Sequence, residues 1–309
     1  MEIDYRYEIV SGVSADRMFA IGIRYDAEYD HNTTCESWCV HIGPDAVTRS
    51  LGDASRYRGL WQAPDGRVVI VHSRGMIFQN PDPVADPEAW SHQTVDASLT
   101  GVWGLRSDHV WAWAGHDQKL YRWEGAAWAS VPYPGGWIRA VHGHGDHFLF
   151  AVGQDGLAMR WDGKSWTKVP CGETTLTALA VADPDGSEIF AAGQAGGLFE
   201  GSSNGLSKLL HHDSAILSLA WWNDELWVGA TNGLHKLVNG KLELVKENIV
   251  AYALDARGDL VISTERFAAF SSDGVGFTGY TVKDFARTRA GAPALWAPEQ
   301  PIDFDHGLP

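Results

Sequence analysis

The densest run of side chains able to do chemistry is His142-Gly143-His144-Gly145-Asp146-His147. Three imidazoles and a carboxylate so close together form a donor set suited to zinc or nickel. The same stretch has a plainer reading. Pro64-Asp65-Gly66, Ser107-Asp108, Pro184-Asp185-Gly186, Asn223-Asp224 and Gly258-Asp259 stand at matching places elsewhere in the chain. Asp146 is then the Asp of one more turn between two strands. That reading outweighs a metal site at His142, His144 and His147, and no cofactor is expected. His211-His212-Asp213 and His116-Asp117 offer further His–Asp neighbours. No Gly-x-Ser-x-Gly, phosphate loop or His-Glu-x-x-His accompanies them.

The elements that must position these residues repeat. Gly101-Val102-Trp103 leads to Val110-Trp111-Ala112-Trp113, and Arg139-Ala140-Val141 to Phe148-Leu149-Phe150-Ala151. Thr177-Ala178-Leu179 and Leu217-Ser218-Leu219 lead in the same way to Ile189-Phe190-Ala191-Ala192 and Leu226-Trp227-Val228-Gly229. Each is a short strand, a polar turn with Asp, and a second strand of small and apolar residues. Trp61, Trp103, Val141, Leu179, Leu219 and Leu254 mark equivalent positions at a period of roughly 40 residues. A helical repeat of that length would show a 3.6-residue apolar rhythm, which Gly, Asp and Asn interrupt here.

Behind each second strand stands another turn: Gly115-His116-Asp117, Gly153-Gln154-Asp155-Gly156, Gly193-Gln194-Ala195-Gly196 and Thr231-Asn232-Gly233. A third strand, a turn and a fourth strand follow. The sequence therefore predicts an all-β protein, a β-propeller of seven four-stranded blades. The blades are placed at about 1–53, 54–97, 98–134, 135–172, 173–213, 214–248 and 249–290, with six or eight left open. Each is contiguous in sequence. Long polar loops are expected at Tyr25–Thr34 in the first blade and Asn80–Glu88 in the second. Residues 291–309, with Leu295, Trp296 and Phe304, are read as a tail or a latch.

Trp161-Asp162-Gly163-Lys164-Ser165-Trp166 and Trp123-Glu124-Gly125-Ala126-Ala127-Trp128 resemble the repeated Trp-Asp-Gly-x-x-Trp turns of bacterial propellers. Ser271-Ser272-Asp273-Gly274-Val275-Gly276-Phe277 resembles a degenerate Asp-box, and Asn239-Gly240-Lys241 keeps only the turn. The resemblance implies that Asp and Gly shape the turn between third and fourth strands while the two Trp fill space between blades. Asp-box propellers include glycosidases, photosystem assembly factors and receptors, so it implies a fold and not an activity. The sialidase set of three arginines with Tyr and Glu has no visible counterpart.

Composition narrows the function classes. A formal net charge of −15 opposes binding to nucleic acid or to an anionic membrane, and it attracts a basic protein. The three cysteines Cys35, Cys39 and Cys171 do not form a secreted disulfide framework. Cys35 and Cys39, four apart on one strand, would stand about 13 Å apart and are read as ordinary thiols. Met1-Glu2-Ile3-Asp4-Tyr5-Arg6 carries no signal-peptide pattern, and the expectation is a cytoplasmic protein.

The function read from this is a non-catalytic scaffold that binds a protein on the loops at one end of the blades. Its candidate residues are Arg74, His116, Asp117, Trp137, Gln154, Asp155, Gln194, His211, Asn232, Glu265 and Arg266. A sharper form is an acidic cytoplasmic immunity protein that occludes a basic toxin or effector. A hydrolase or lyase with its site at the mouth of the central channel is an alternative. So is a sugar-binding lectin, although Asp117, Asp155, Ala195 and Asn232 do not repeat one pocket.

Overall fold

The computed structural model describes residues 3–26, 35–44, 47–282 and 302–303. Among the described residues the elements are strands, apart from a 3-10 turn at Gln194–Gly196. In chain order the strands are β1 (Ile3–Gly12), β2 (Met18–Asp26), β3 (Cys35–Ile42) and β4 (Val47–Asp53); β5 (Tyr57–Gln62), β6 (Val68–His72), β7 (Met76–Asn80) and β8 (Ser91–Thr94); β9 (Gly101–Arg106), β10 (His109–Ala114), β11 (Lys119–Trp123) and β12 (Trp128–Ser130). Then come β13 (Ile138–Gly145), β14 (Phe148–Gly153), β15 (Ala158–Trp161) and β16 (Trp166–Lys168); β17 (Leu176–Val181), β18 (Ile189–Gly193), β19 (Gly197–Ser202) and β20 (Gly205–His211). The last are β21 (Ile216–Trp222), β22 (Glu225–Ala230), β23 (Gly233–Val238) and β24 (Lys241–Lys246); β25 (Ala253–Ala256), β26 (Leu260–Ser263), β27 (Phe267–Ser271), β28 (Thr278–Thr281) and β29 (Ile302–Asp303).

Each successive group of four strands forms one antiparallel sheet in sequence order, so the described strands make the seven blades of a β-propeller. β29 adds a fifth strand to the last sheet, pairing Thr278 with Asp303 and Gly279 with Ile302. The remainder of the 291–309 segment, including Leu295, Trp296 and Phe304, lies outside the described residues, as do residues 27–34 of the expected first-blade loop.

The chain divides into two compact units. One comprises residues 1–70, 77–92 and 252–309, and the other residues 71–76 and 93–251. In the first, β25, β1 and β5 run side by side. Its core gathers Tyr7, Met18, Val40, Val261 and Tyr280 in one cluster and Phe19, Ile21, Tyr57 and Ile70 in another. In the second unit the innermost strands succeed one another as β9, β13, β17 and β21. Here the core runs from Trp111, Leu149 and Met159 through Phe150, Leu179 and Ile189 to Phe190, Leu226 and Val228.

Sequence pattern explains the layering. The second strands, such as β10 and β18, are buried at every residue, as short continuous apolar runs must be. The fourth strands lie at sheet edges and carry charge. β24, Lys-Leu-Glu-Leu-Val-Lys, is fully buried nowhere, which protects an open edge.

The third-to-fourth turns show why Asp-Gly recurs. Asp162 Oδ1 accepts from the Lys164 and Ser165 amides at 2.9 and 2.8 Å, and Gly163 takes φ +93°. Asp273 Oδ1 accepts from the Val275 and Gly276 amides at 2.9 and 3.0 Å in the same manner. These bonds to backbone amides hold both carboxylates below the usual Asp range. The flanking rings Trp161 and Trp166 lie 5.7 Å apart, and both meet Trp111 of the preceding blade edge-on at 5.1 and 5.5 Å. Trp123 and Trp128 repeat the pairing at 5.6 Å.

Candidate functional site

Asp146 ties two blades of the second unit together. Its carboxylate accepts from Arg106 Nη1 and Nη2 at 2.5 and 3.0 Å and from His109 Nδ1 at 2.5 Å. Its backbone carbonyl accepts from Trp161 Nε1 at 3.1 Å. The Arg106 guanidinium foremost holds the Asp146 carboxyl down to about 2. Burial pushes the His109 imidazole below its ordinary value, and this outweighs the opposing effect of the hydrogen bond it donates to Asp146. His109 is fully buried, and its Nε2 has no hydrogen-bond partner among the described residues. His109 is therefore enclosed, and its bond to Asp146 joins neighbouring blades.

The histidine run is placed differently from the sequence reading. β13 extends to Gly145, so His142 and His144 stand on the strand, and only Asp146 and His147 form the turn. His142 Nδ1 accepts from the Val181 amide at 3.2 Å, and His144 Nε2 lies 2.8 Å from the Val181 carbonyl, to which it donates. The two imidazoles thus clasp the end of β17 in the next blade. His147 packs instead on Gly163, where a Cβ would come within 2.4 Å of its Nδ1. Among the described residues no group of His, Cys, Asp and Glu is arranged to hold a metal. Cys39 and Cys171 are free and buried, and burial pushes the Cys39 thiol up to about 12.

The candidate binding residues of the second unit lie on second-to-third turns and on connections between blades, which open at the same end of an antiparallel blade. Arg74 stands on the β6–β7 turn, His116 and Asp117 on β10–β11, and Gln154 and Asp155 on β14–β15. Gln194 is in the 3-10 turn, Asn232 lies between β22 and β23, and His211 is the last residue of β20. Trp137 immediately precedes β13. Glu265 and Arg266 are exposed on the β26–β27 turn of the first unit. Trp221 and Trp222 belong to β21 itself, with Trp222 buried and Trp221 stacked on Phe190 at 5.9 Å.

Six of these residues line two neighbouring grooves. One, of about 800 Å³, is bounded by Arg74, Asp96, Ser98, Asp117 and Lys119. Lys119 donates to both the carbonyl and the carboxylate of Asp96, and Asp117 Oδ2 accepts from the Ser98 amide at 2.5 Å. The other, of about 590 Å³, is bounded by His116, Gln118, Pro134, Trp137, Gln154 and Asp155. Its Trp137 ring lies 6.1 Å from His116 and 4.7 Å from the Arg139 guanidinium. It also presses on Gly115, where a Cβ would fall 1.7 Å from Nε1. Gln194, His211 and Asn232 line neither groove. Asn232 Oδ1 accepts from His212 Nε2 at 3.1 Å.

Gln118 is the residue that the sequence reading missed. It holds φ +50° directly before β11, the place that Gly75 takes before β7 with φ +80°. Its Oε1 accepts from the Gly136 amide at 3.0 Å. Tyr133 donates to the Gly136 carbonyl at 2.8 Å, and burial pushes its phenol up to about 12. The 131–137 connection is thus pinned at Gly136 from both sides. A glutamine where the neighbouring turn needs glycine was the available signal.

No protein-family model matches this sequence. No curated protein matches it either. Solved structures do. YCF48 bound to D1 peptide is similar with a TM-score of 0.63 at 14% identity, covering 85% of this chain and 94% of that one. The WD40 β-propeller domain of Doa1 gives 0.63 at 11% identity over 86% and 91% of the two chains. A catalytically inactive variant of virginiamycin B lyase from Staphylococcus aureus, with quinupristin, gives 0.59 at 16% identity over 74% and 84%. These likenesses confirm the β-propeller fold.

Proposed function

We propose that this chain is a non-catalytic, protein-binding propeller scaffold. The observation that carries the reading is a set of turns pinned by backbone hydrogen bonds that still present polar side chains outward. Gln154 N donates to the Trp137 carbonyl at 2.9 Å, Gln194 N to the Thr175 carbonyl at 3.1 Å, and Thr231 N to the Ala215 carbonyl at 3.0 Å. Rigid turns of this kind lower the ordering cost of binding. Functional residues concentrate on such loops. Asp117, Asp155, Glu173 and Glu247 are all exposed at this end of the second unit's blades. They suit a basic partner. The peptide seen on YCF48 is a precedent, on the same fold, for a protein ligand.

In its sharper form the chain is an acidic cytoplasmic immunity protein, of the bacterial Trp-Asp-Gly-x-x-Trp type, that occludes a basic toxin or effector. The net charge of −15 motivates this form. Affinity capture from native lysate at low salt, followed by a wash at about 0.5 M salt, tests it, because exposed charge pairs are screened at that strength. One stoichiometric basic protein, released by salt and lost when these carboxylates are neutralised together, is the expected result. A partner that ignores both salt and those substitutions refutes the acidic-face reading. No partner at either salt refutes the scaffold.

A further inference from the structure

We infer that His212 and His235 form an acid-sensitive latch between two neighbouring blades of the second unit. The latch stays closed while the pair holds at most one extra proton. It opens on the second and frees the turns that carry Gln194 and Asn232. The inference goes beyond the scaffold reading, because it concerns these turns whether or not a protein sits on them.

The first argument is connectivity. His212 lies in the connection from β20 to β21, and its backbone and side chain hold different turns. Its amide donates to the Gly196 carbonyl at 2.8 Å, on the turn of Gln194. A Cβ at Gly196 would fall 2.0 Å from the His212 carbonyl oxygen, so the two backbones are in close contact. The His212 Nε2 donates to Asn232 Oδ1 at 3.1 Å, on the β22–β23 turn. His235, on β23, meets the His212 ring edge-on with centroids 4.9 Å apart. Its Nδ1 donates to the Gly233 carbonyl at 3.1 Å, next to Asn232.

The second argument is where protons can go. Carbonyl oxygens only accept, so His212 carries its hydrogen on Nε2 and His235 on Nδ1, and each ring keeps one basic nitrogen. His212 is half-buried, whereas His235 is buried. Strand pairing sets Val228 and Leu244 beside His235. Val228 in turn packs with Leu198 and Leu210 of the neighbouring blade. The other charged or titratable groups of this corner are the exposed His211 and Asp213, which flank His212, and Lys246 and Glu247 at the end of β24. Lys236, next on β23, turns the opposite way to Glu225 and the Trp227 ring. Among all of these only His212 acts on His235. Burial foremost, and then that neighbouring ring, push the His235 imidazole below its ordinary value, against the bond to Gly233. Opening lets both rings titrate near about 6.5, as free histidines do. Below that pH the open state therefore binds one proton more than the closed state. Opening then grows as pH falls, by at most about tenfold per unit.

The test is amide hydrogen exchange on the full chain between about pH 7.5 and about pH 5, corrected for the intrinsic pH dependence of exchange, which reports local opening. Two amides read the latch: His212, and Thr231, which donates to the Ala215 carbonyl at 3.0 Å. Val169, which donates to the Ala158 carbonyl at 3.0 Å in another blade, is the control. The expected result is a loss of protection of about tenfold or more at His212 and Thr231 across that range, with Val169 unmoved. The response vanishes in His235→Phe, which removes the buried base. It shrinks in His212→Gln, which keeps a donor for Asn232 and removes only the neighbouring charge. The wild type and His212→Gln decide the matter between them if His235→Phe does not fold. Protection at His212 and Thr231 that ignores pH, or a response undiminished in His212→Gln, overturns the latch. An equal loss at Val169 marks a general acid loosening and overturns it too.

Discussion

The Asp146 junction yields a number that can be checked. In Asp146→Ala the Arg106 fork is lost, but both groups are close to half exposed, at 47% and 42%, so that part is worth only about 0.5–1 kcal/mol. His109 decides the rest. Its side chain is fully buried, its Nδ1 donates to Asp146, and its Nε2 has no partner among the described residues. Without the carboxylate a buried donor is stranded, which costs about 1–3 kcal/mol. Asp146→Ala should therefore destabilise by about 1.5–4 kcal/mol. Asp146→Asn, which keeps an acceptor, should lose about 1 kcal/mol. The backbone bond from Trp161 survives in both. Urea unfolding followed by fluorescence measures the two, with a coupling cycle through Arg106→Ala. Equal losses for Ala and Asn would show that His109 is not stranded and would refute the reasoning.

The same junction has a pH signature of known sign. Asp146 is depressed to about 2, so its stabilisation is complete above the ordinary Asp value near 4. It disappears as pH falls from there through 2. His109, held neutral by burial, adds an acid-side loss that begins near its ordinary value of about 6.5. The gap between wild type and Asp146→Ala should therefore narrow between pH 4 and pH 2.

Three further outcomes follow from single positions. Gly163→Ala and Gly125→Ala both place a Cβ at positive φ, but only Gly163 also meets His147, at 2.4 Å. Gly125→Ala should cost about 1 kcal/mol and Gly163→Ala measurably more, and equal melting temperatures would refute the contact. Trp111→Ala, at a fully buried ring between Trp161 and Trp166, should destabilise by about 3–5 kcal/mol, and a loss below about 1 kcal/mol in urea titration would contradict that packing. Cys39, buried with its thiol raised to about 12, should resist alkylation in the native state and label only on unfolding, as peptide mapping would show.

The fold was legible because its signals are local. A period near 40 residues, four short strands per period and Asp-Gly turns each act over a few residues, where turn chemistry and strand pattern suffice. Tryptophans flanking Asp-Gly could be assigned to gaps between blades from size alone, and Trp111, Trp161 and Trp166 meet there. The site was legible only as a list of turn residues. Which of them share a groove depends on how neighbouring blades abut, and distance along the chain does not encode that. Arg74, Asp117, Trp137 and Asp155 come to adjoining grooves, while Gln194, His211 and Asn232 do not.

Sequence by itself determined the architecture and the identity of the polar turns of this protein. Tertiary structure decided what each polar group is for. His142 and His144 look like metal ligands in a string of letters, and become a clasp because β17 brings the Val181 amide and carbonyl within reach. Asp146 looks like a turn residue, and becomes a junction because Arg106 and His109 of another blade converge on it. Gln118 carries no motif at all, and becomes a groove wall because its amide meets Gly136. The physical reason is common to all three. A turn is specified by torsions within a few residues, whereas a hydrogen bond between blades exists only where separate strands place donor and acceptor within about 3 Å.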